Sequence, residues 1–584
     1  MNRVSVPITA ICCALSFAVS VAAAKHDTLI FSAINNYWQV GTITTTGTTA
    51  TVTVNSNQTY QKWLGFGGCF NEKGWEALQN LSASDRDRAI RLLFSKDGCN
   101  FTWGRIPIGA SDYALTRYTL NQTTGDTAMS SFSIARDTNY LIPFIKAAQA
   151  VKPGILFWAS AWTPPTWMKT GAADAGGYDA GVMRDTAKYL RANALYTARF
   201  IEAYTAKGIP IKFVVPQNEP GYCQHYPSCG WGKYRTVDNV NVNGAEYLSD
   251  YTANYLWPTL QSRDPQTDLW FGTLSNDLMD TAYWSAVKPK AGTHIKGVCL
   301  QWNLITVAAS SASAGYLVMQ SEHQCGNYPW LSARATSPAD ANRNNFLAAY
   351  APNNHAYGQE SWDLIKNWIT AGANIYSAWN MVLDTGGFNL DLSRPWPQNA
   401  LLAVNYQTHV LHVTPAYYVF RHLAQFVDTG AIRLGTTSGD ALAFRNPDSS
   451  IVTVVYNSTS NPVVTVAVGG RNLQFNVPAQ GWATLCVGLT SPTAIKDITH
   501  NQYTGDGIGL RITCKGDGYL IALPSRESGR IELLTVTGRV LESRAIPQGS
   551  REILLRKQAS HAGLLLVRVV YGGGAKTARF FNVR

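Results

Sequence analysis

Between Trp63 and Asp384 the chain alternates short apolar runs with stretches whose apolar residues recur every three to four positions. Uninterrupted apolar runs suit parallel strands covered on both faces, and the intervening periodicity suits amphipathic helices packed over them. Eight such runs occur, at 63–70 (WLGFGGCF), 101–108 (FTWGRIPI), 154–160 (GILFWAS), 211–217 (IKFVVPQ), 268–276 (DLWFGTLSN), 295–302 (IKGVCLQW), 315–321 (GYLVMQS) and 373–380 (ANIYSAWN). Eight β/α repeats predict an α/β chain with a closed (β/α)8 TIM barrel. The helix signals are ordinary. Ser84 stands before apolar Ile90, Leu92 and Leu93 as an N-cap candidate, Gly208 follows a helix expected over 185–207, and Thr414-Pro415 opens one expected over 415–426.

The flanks change period. Alternating Thr/Val-rich segments at 39–54 and 440–487 read as strands, and two all-β flanks can join beside the barrel into one side β-sandwich. After Ser491-Pro492, short strands such as GLLLVRVVY separated by GDG and YGGG turns predict a second all-β sandwich. The expected organisation is a signal peptide over 1–24, N-terminal sandwich strands over 25–60, the barrel over 61–425, the remaining sandwich over 426–490, and a C-terminal β domain over 495–584.

Composition narrows the function classes. At 584 residues with 46% hydrophobic and only 15% charged residues, against roughly 25% in ordinary soluble domains, the chain excludes dominant disorder. Aromatics at 11% suit a cleft in which rings stack on the apolar faces of sugars. The net charge of +11 is concentrated in the tail, where residues from Ile495 onward carry 14 Lys/Arg against 7 Asp/Glu. Those arginines are dispersed at strand-like spacing rather than clustered, so a solvated sheet face is expected and no nucleic-acid partner.

Arg3, the apolar stretch from Ile8 to Val21 and Ala22–Ala24 read as an export signal, which predicts a secreted or cell-surface protein. No later run is long enough to span a membrane. Of the cysteines beyond the signal, Cys223 and Cys229 are the best candidates for a bridge, and Cys299, inside an apolar run, for a buried thiol.

Two carboxylates fall at strand ends that face a barrel mouth, Glu219 after the fourth run and Glu322 after the seventh, on opposed sides. A carboxyl pair is what glycosidic cleavage needs, one to protonate the leaving oxygen and one to attack the anomeric carbon or activate water. Asn218 beside Glu219 can donate to a sugar hydroxyl, and Pro220 turns the chain out of the strand.

Other candidates have ordinary readings. Glu360 and Asp363 are expected in the first turn of a helix, complementing its dipole, Lys169 at an exposed helix start, GFGG at a tight strand exit, and His225 and His323 in structural hydrogen bonds. Tyr222, Tyr226 and Trp231, in the loop after Glu219, suit either substrate subsites or loop packing. With no HExxH, tandem CxxC, phosphate-loop ending or GxSxG, neither metal, cofactor nor serine nucleophile is expected.

The motifs GFGGCFNEKGW (65–75), RIPIGASDYA (105–114), WASAWTPPTWMKT (158–170), QNEP (217–220), MQSEHQCG (319–326) and SAWNMVL (377–383) occur in the order found in glycoside hydrolase family 30, which the chain resembles from about 60 to 425. That family comprises glucosylceramidase-like enzymes and microbial endoglycanases and exoglycosidases. The resemblance implies a retaining β-glycosidase acting on a β-glycan or β-glycoside by double displacement. It matches Glu219 to the acid/base and Glu322 to the nucleophile. It also matches Asp112, Trp162 and Asn218 to groups that bind the sugar, and Trp379 to an aromatic floor. Gln301 and Asn303 stand in LQWN where glucosylceramidase-like members carry a His and a Tyr, which leaves glucosylceramidase-like and endo-β-1,6-glucanase- or galactanase-like substrates both open. The alternative is a non-catalytic carbohydrate-binding surface protein on the same scaffold. The tail, with VTGRVLESRAIPQGSREILL, GLLLVRVVY and FFNVR, is similar to type 9 secretion sorting domains and so points to secretion machinery as a partner. Its rival reading is a carbohydrate-binding sandwich, which the absence of Trp there disfavours.

Overall fold

The structure, a computed structural model, describes residues 26–489 apart from 172–174, 185, 223–225, 232–241, 276, 324–354 and 392–397, and 511–582 apart from 516–517, 524–526, 536–539, 557–562 and 572–573. The expected signal peptide, the Cys223 half of the expected bridge, and His225 lie outside the described residues.

All eight predicted runs become barrel strands, numbered here β1 (Gly65–Cys69), β2 (Trp103–Ile108), β3 (Leu156–Ala161), β4 (Ile211–Val215), β5 (Asp268–Leu274), β6 (Ile295–Gln301), β7 (Leu317–Glu322) and β8 (Ile375–Asn380). Each pairs in parallel with its neighbours, and β8 closes on β1 with Ile375 opposite Gly65. The interior is filled by Trp103, Trp158, Phe213, Val215, Trp270, Cys299, Met319 and Ile375, with Phe213 stacked on Trp270 at 4.3 Å and on Trp158 at 5.2 Å between centroids. This plug supports whatever stands at the C-terminal ends of the strands. Cys299 belongs to it as a free, buried thiol, as expected, and burial pushes its pKa up.

GFGG is part of β1 rather than a strand exit. A Cβ on Gly67 would lie 2.3 Å from the Trp103 carbonyl oxygen and one on Gly68 2.3 Å from Met381, so glycine here answers to close packing.

Three local expectations change. The helix Ala83–Phe94 is capped by Ser82, not Ser84: Ser82 is the residue with extended backbone, and its Oγ accepts from the Asp85 N–H at 3.1 Å. Glu360 and Asp363 lie beyond the first turn of His355–Thr370, the helix beginning earlier than its charge pattern indicates. Lys169 is not exposed at a helix start. Only 3% accessible, it donates to the carbonyls of Tyr178, Ala180 and Ser228 at 2.8, 2.8 and 2.9 Å. By contrast Thr414 caps Pro415–Ala424 through Tyr417 N–H, and Gly208, with φ +70°, follows Ala187–Ala206.

Both flanks build one ten-stranded sheet system. His26–Ala33 pairs antiparallel with Trp482–Leu489, and Val52–Lys62 lies between Ile432–Thr436 and Val463–Val468. His422, on the helix that follows the barrel, bonds Ser32 Oγ at 2.9 Å and Thr484 Oγ1 at 2.8 Å, tying both flanks to the barrel's outer layer. The tail forms a three-stranded and a four-stranded sheet around Tyr519, Ile521, Ile531, Leu533, Ile546, Leu555, Val567 and Val569. Among its described arginines, Arg568 and Arg530 lie on the sheet surface, both pairing with Glu532.

Candidate active site

Strand parity brings the chemistry to the mouth. Phe213 and Val215 of β4 point inward, and Gln217 and Glu219 follow in the turn just beyond that strand's end. On β7, Met319 points inward, so strict alternation would turn Glu322 away. An irregularity in β7 corrects this: Leu300 pairs with Gln320 but Gln301 with Glu322, one extra residue re-aiming the carboxylate. Glu219 itself has φ +44°, a left-handed conformation rare for a non-glycine residue. It is held by its N–H donating to Thr273 O and by Asn218 N–H donating to Ala161 O, both at 2.8 Å.

The two carboxyls sit in opposite environments. Arg105, inside β2 and fully buried, donates from Nη1 to Glu322 Oε2 at 2.5 Å, from Nη2 to Asn218 Oδ1 at 2.6 Å and from Nε to Ser160 Oγ at 3.1 Å. Among the described residues Glu219 receives neutral donors: Gln301 Nε2 at 2.8 Å on Oε1 and Tyr226 Oη at 2.6 Å on Oε2, with Ser275 as a further side-chain partner. Thr273 Oγ1 adds a bond to Asn218 Oδ1 at 2.6 Å, so that oxygen is saturated and the Asn218 amide NH2 is left to face a ligand.

Burial pushes Glu219 upward, against the bonds from Tyr226 and Gln301. Burial also pushes Glu322 up, to about 8, opposed by Arg105 and assisted by Glu219 and Asp112. The pair titrates together. The guanidinium favours the charged form of Glu322, and no cation is hydrogen-bonded to Glu219 among the described residues. Asp112, on the loop beyond β2, is raised to about 7 by burial and then by Glu219.

Trp162 and Trp379 stack on each other at 5.4 Å, with the Arg105 guanidinium 4.3 Å from the Trp162 ring and 5.2 Å from that of Trp379. Both indoles are 2% accessible, so they are the wall that fixes Arg105 as much as a surface for a sugar. Gln301 is buried in the cluster, whereas Asn303 is exposed in the turn after β6. His323 is structural: buried, bonded to Tyr376 Oη at 2.6 Å and Ser361 Oγ at 3.1 Å, and lowered to about 3 by burial. Among the described residues no group of three or more His, Cys, Asp or Glu could hold a metal ion, and no helix is long and apolar enough to cross a membrane.

The residues that sequence reasoning passed over are Arg105, Thr273 and the acid-holding role of Tyr226. Arg105 had a signal, as a lone charge within the apolar strand WGRIPI. Thr273 had none, because Asn218 reaches it from the neighbouring strand's end, and Tyr226, seven residues after Glu219, was legible only as a loop aromatic.

A closed barrel with two buried carboxylates beyond the C-terminal ends of its strands, one of them paired with a guanidinium, has the layout of a glycoside hydrolase. Residues 63–427 match the glycosyl hydrolase family 30 TIM-barrel domain and 430–485 the family 30 beta sandwich domain, and the chain belongs to that family of retaining enzymes. It is 26% identical over 444 residues to the lysosomal acid glucosylceramidase of Mus musculus, covering 72% of this chain and 79% of that one. The endo-1,6-beta-D-glucanase neg1 of Aspergillus fumigatus is 24% identical over 461 residues, covering 74% and 86%. Among solved structures, an endo-beta1,6-glucanase superposes with a TM-score of 0.65 at 20% identity, covering 79% of this chain and 99% of that one.

Proposed function

We propose that this glycoside hydrolase cleaves β-linked glucosidic bonds by double displacement, with Glu322 as nucleophile and Glu219 as acid/base. The observation that carries the assignment is the asymmetry of the pair among the described residues: Glu322 is bonded to a guanidinium, and Glu219 to neutral donors. Glu322 attacks the anomeric carbon while Glu219 gives its proton to the departing oxygen. The resulting ester removes the charge on Glu322, which lowers the Glu219 pKa and lets Glu219 take a proton from the incoming water. Asp112, Asn218, Trp162, Trp379 and Gln301 surround the bound sugar ring, and Asn303 meets the substrate farther out. The names of the relatives support glucosylceramide-like and β-1,6-glucan substrates. The leader at 1–24 and the sorting-like tail support an exported, surface-directed enzyme.

The test is a panel of aryl β-glucosides, β-1,6-glucan and glucosylceramide assayed on wild type, Glu322→Gln and Glu219→Gln. Glu322→Gln is expected to reduce every substrate to background. Glu219→Gln is expected to lose about 10²- to 10⁴-fold on natural leaving groups and far less on activated aryl ones. Equal loss across leaving groups would remove Glu219 from the acid role, and activity surviving in Glu322→Gln would remove the nucleophile.

A further inference from the structure

Two of the donors that hold Glu219, Gln301 and Tyr226, differ in one respect. The Gln301 amide is anchored at both ends, since its Oε1 accepts from Ser321 Oγ at 3.2 Å while Nε2 donates to Glu219. Turning it round would exchange its heavy atoms and need Ser321 Oγ to accept instead, giving its own proton to the Leu300 carbonyl at 3.3 Å. The Tyr226 hydroxyl has a choice, because its oxygen lies 2.6 Å from Glu219 Oε2 and 3.2 Å from the backbone carbonyl of Tyr222. An amide nitrogen only donates, whereas a phenol both donates and accepts.

A double-displacement acid/base must be protonated in one half-reaction and ionised in the other. Were Gln301 and Tyr226 both fixed as donors, the proton of the acid form would meet an N–H on one oxygen and an O–H on the other. Resting on the assignment of Glu219 as acid/base, we propose that Tyr226 is a positioning residue whose hydroxyl reorients with each half-reaction. It donates to Glu219 Oε2 when that carboxylate is ionised, and turns its proton to the Tyr222 carbonyl when Glu219 is protonated.

The proton balance closes. Glu219 loses its proton to the leaving oxygen, and the Tyr226 O–H swings onto the new carboxylate. Water then gives its proton back to Glu219 as its oxygen bonds the anomeric carbon and the ester to Glu322 breaks, and the O–H swings away. No proton leaves Tyr226. Among the described residues, the other titratable or charged groups around Glu219 are Arg105 from β2, Asp112 from the loop beyond it, Glu322 from β7 and Tyr222 from its own loop. None of them has a hydrogen bond to Glu219 among the contacts described above.

The experiment is the pH profile of kcat/KM, whose basic limb reports the acid in the free enzyme. Tyr226→Phe keeps the ring and deletes the donor, so the carboxylate is less stabilised and the basic limb should rise by about half to one pH unit. Replacing Tyr226 by 3-fluorotyrosine, a stronger donor of the same shape, should move the same limb downward. Opposite shifts from two near-isosteric side chains are not what a packing role produces, and the fluorinated enzyme covers the case in which Tyr226→Phe folds poorly. Unmoved limbs, or two shifts of one sign, overturn the proposal. Glu219→Ala is assayed alongside with azide. If azide restores turnover and yields a β-glycosyl azide, the acid/base assignment stands and a failure at Tyr226 belongs to this proposal alone. If it does not, the assignment itself falls.

Discussion

At the scale of single residues the site turns on Arg105. It touches both halves of the carboxyl pair's surroundings, bonding Glu322 directly and reaching Glu219's neighbour through Asn218. Arg105→Met should leave Glu322 buried without its cation and move the acidic limb of kcat/KM upward by a pH unit or more, because the nucleophile must then ionise unaided. Arg105→Lys keeps the charge but loses the planar fork. There the limb should move little while kcat/KM falls about 10²-fold through lost alignment. Titrating both variants separates charge from geometry, and equal limbs in the two would show that the guanidinium acts by packing. Glu219 and Glu322 were legible in the sequence because a strand end in a barrel has one functional meaning. Arg105 was visible only as an oddity, since its three acceptors come from strands 55 to 217 positions away.

At the scale of elements, Lys169 shows where sequence signals fail. A lysine after TWM reads as a solvated charge, and nothing local announces that its ammonium bonds three carbonyls from two loops. The clamp joins the short pair Lys169–Thr170 and Val182–Met183 to the segment that carries Tyr226, with Met183 N–H donating to Gly230 O and Gly230 N–H to Gly181 O, each at 2.9 Å. Lys169→Met should therefore lower stability by about 2–3 kcal/mol, because buried carbonyls lose their donor. It should also cut kcat/KM about tenfold by loosening Tyr226. Urea unfolding and steady-state kinetics on the same preparation check both; a stability loss with unchanged kinetics would mean the clamp does not reach the site. The eight strands themselves were legible to within a few residues, because burial on both faces leaves an uninterrupted apolar run. The extra residue in β7 was not, since MQSE gives no local sign of a register change.

At the scale of the whole molecule the aromatic surplus has a different meaning from the one composition offers. Trp63, Trp158, Trp362, Trp368 and Trp482 are fully buried, and the rings serve the barrel plug and the packing between barrel and sandwich before they serve a sugar. Such a core also buries acids. Asp112 and Asp137 are raised to about 7 and Glu322 to about 8, in each case first by burial, and Asp137 is distinct from the site, held by Tyr118 Oη at 2.9 Å and Tyr204 Oη at 2.8 Å. Each folded-state pKa lies above its unfolded value near 4. Between those values the folded chain binds more protons than the unfolded one, so the contribution is full below about pH 4 and is lost as pH rises through about 7 to 8. Stability should therefore decline across the range in which the acidic limb of activity rises, since ionising Glu322 is what catalysis requires and what burial resists. Urea unfolding at pH 5, 6, 7 and 8 should show a falling free energy. Asp137→Asn and Glu322→Gln should each flatten the slope by up to about 1.4 kcal/mol per pH unit, the limit for one proton. Flattening by Asp137→Asn alone would place the conflict in the core, and flattening by Glu322→Gln alone would place it in the catalytic pair. A free energy that climbs with pH would mean that Arg105 and the tyrosine donors outweigh burial at every one of these carboxyls.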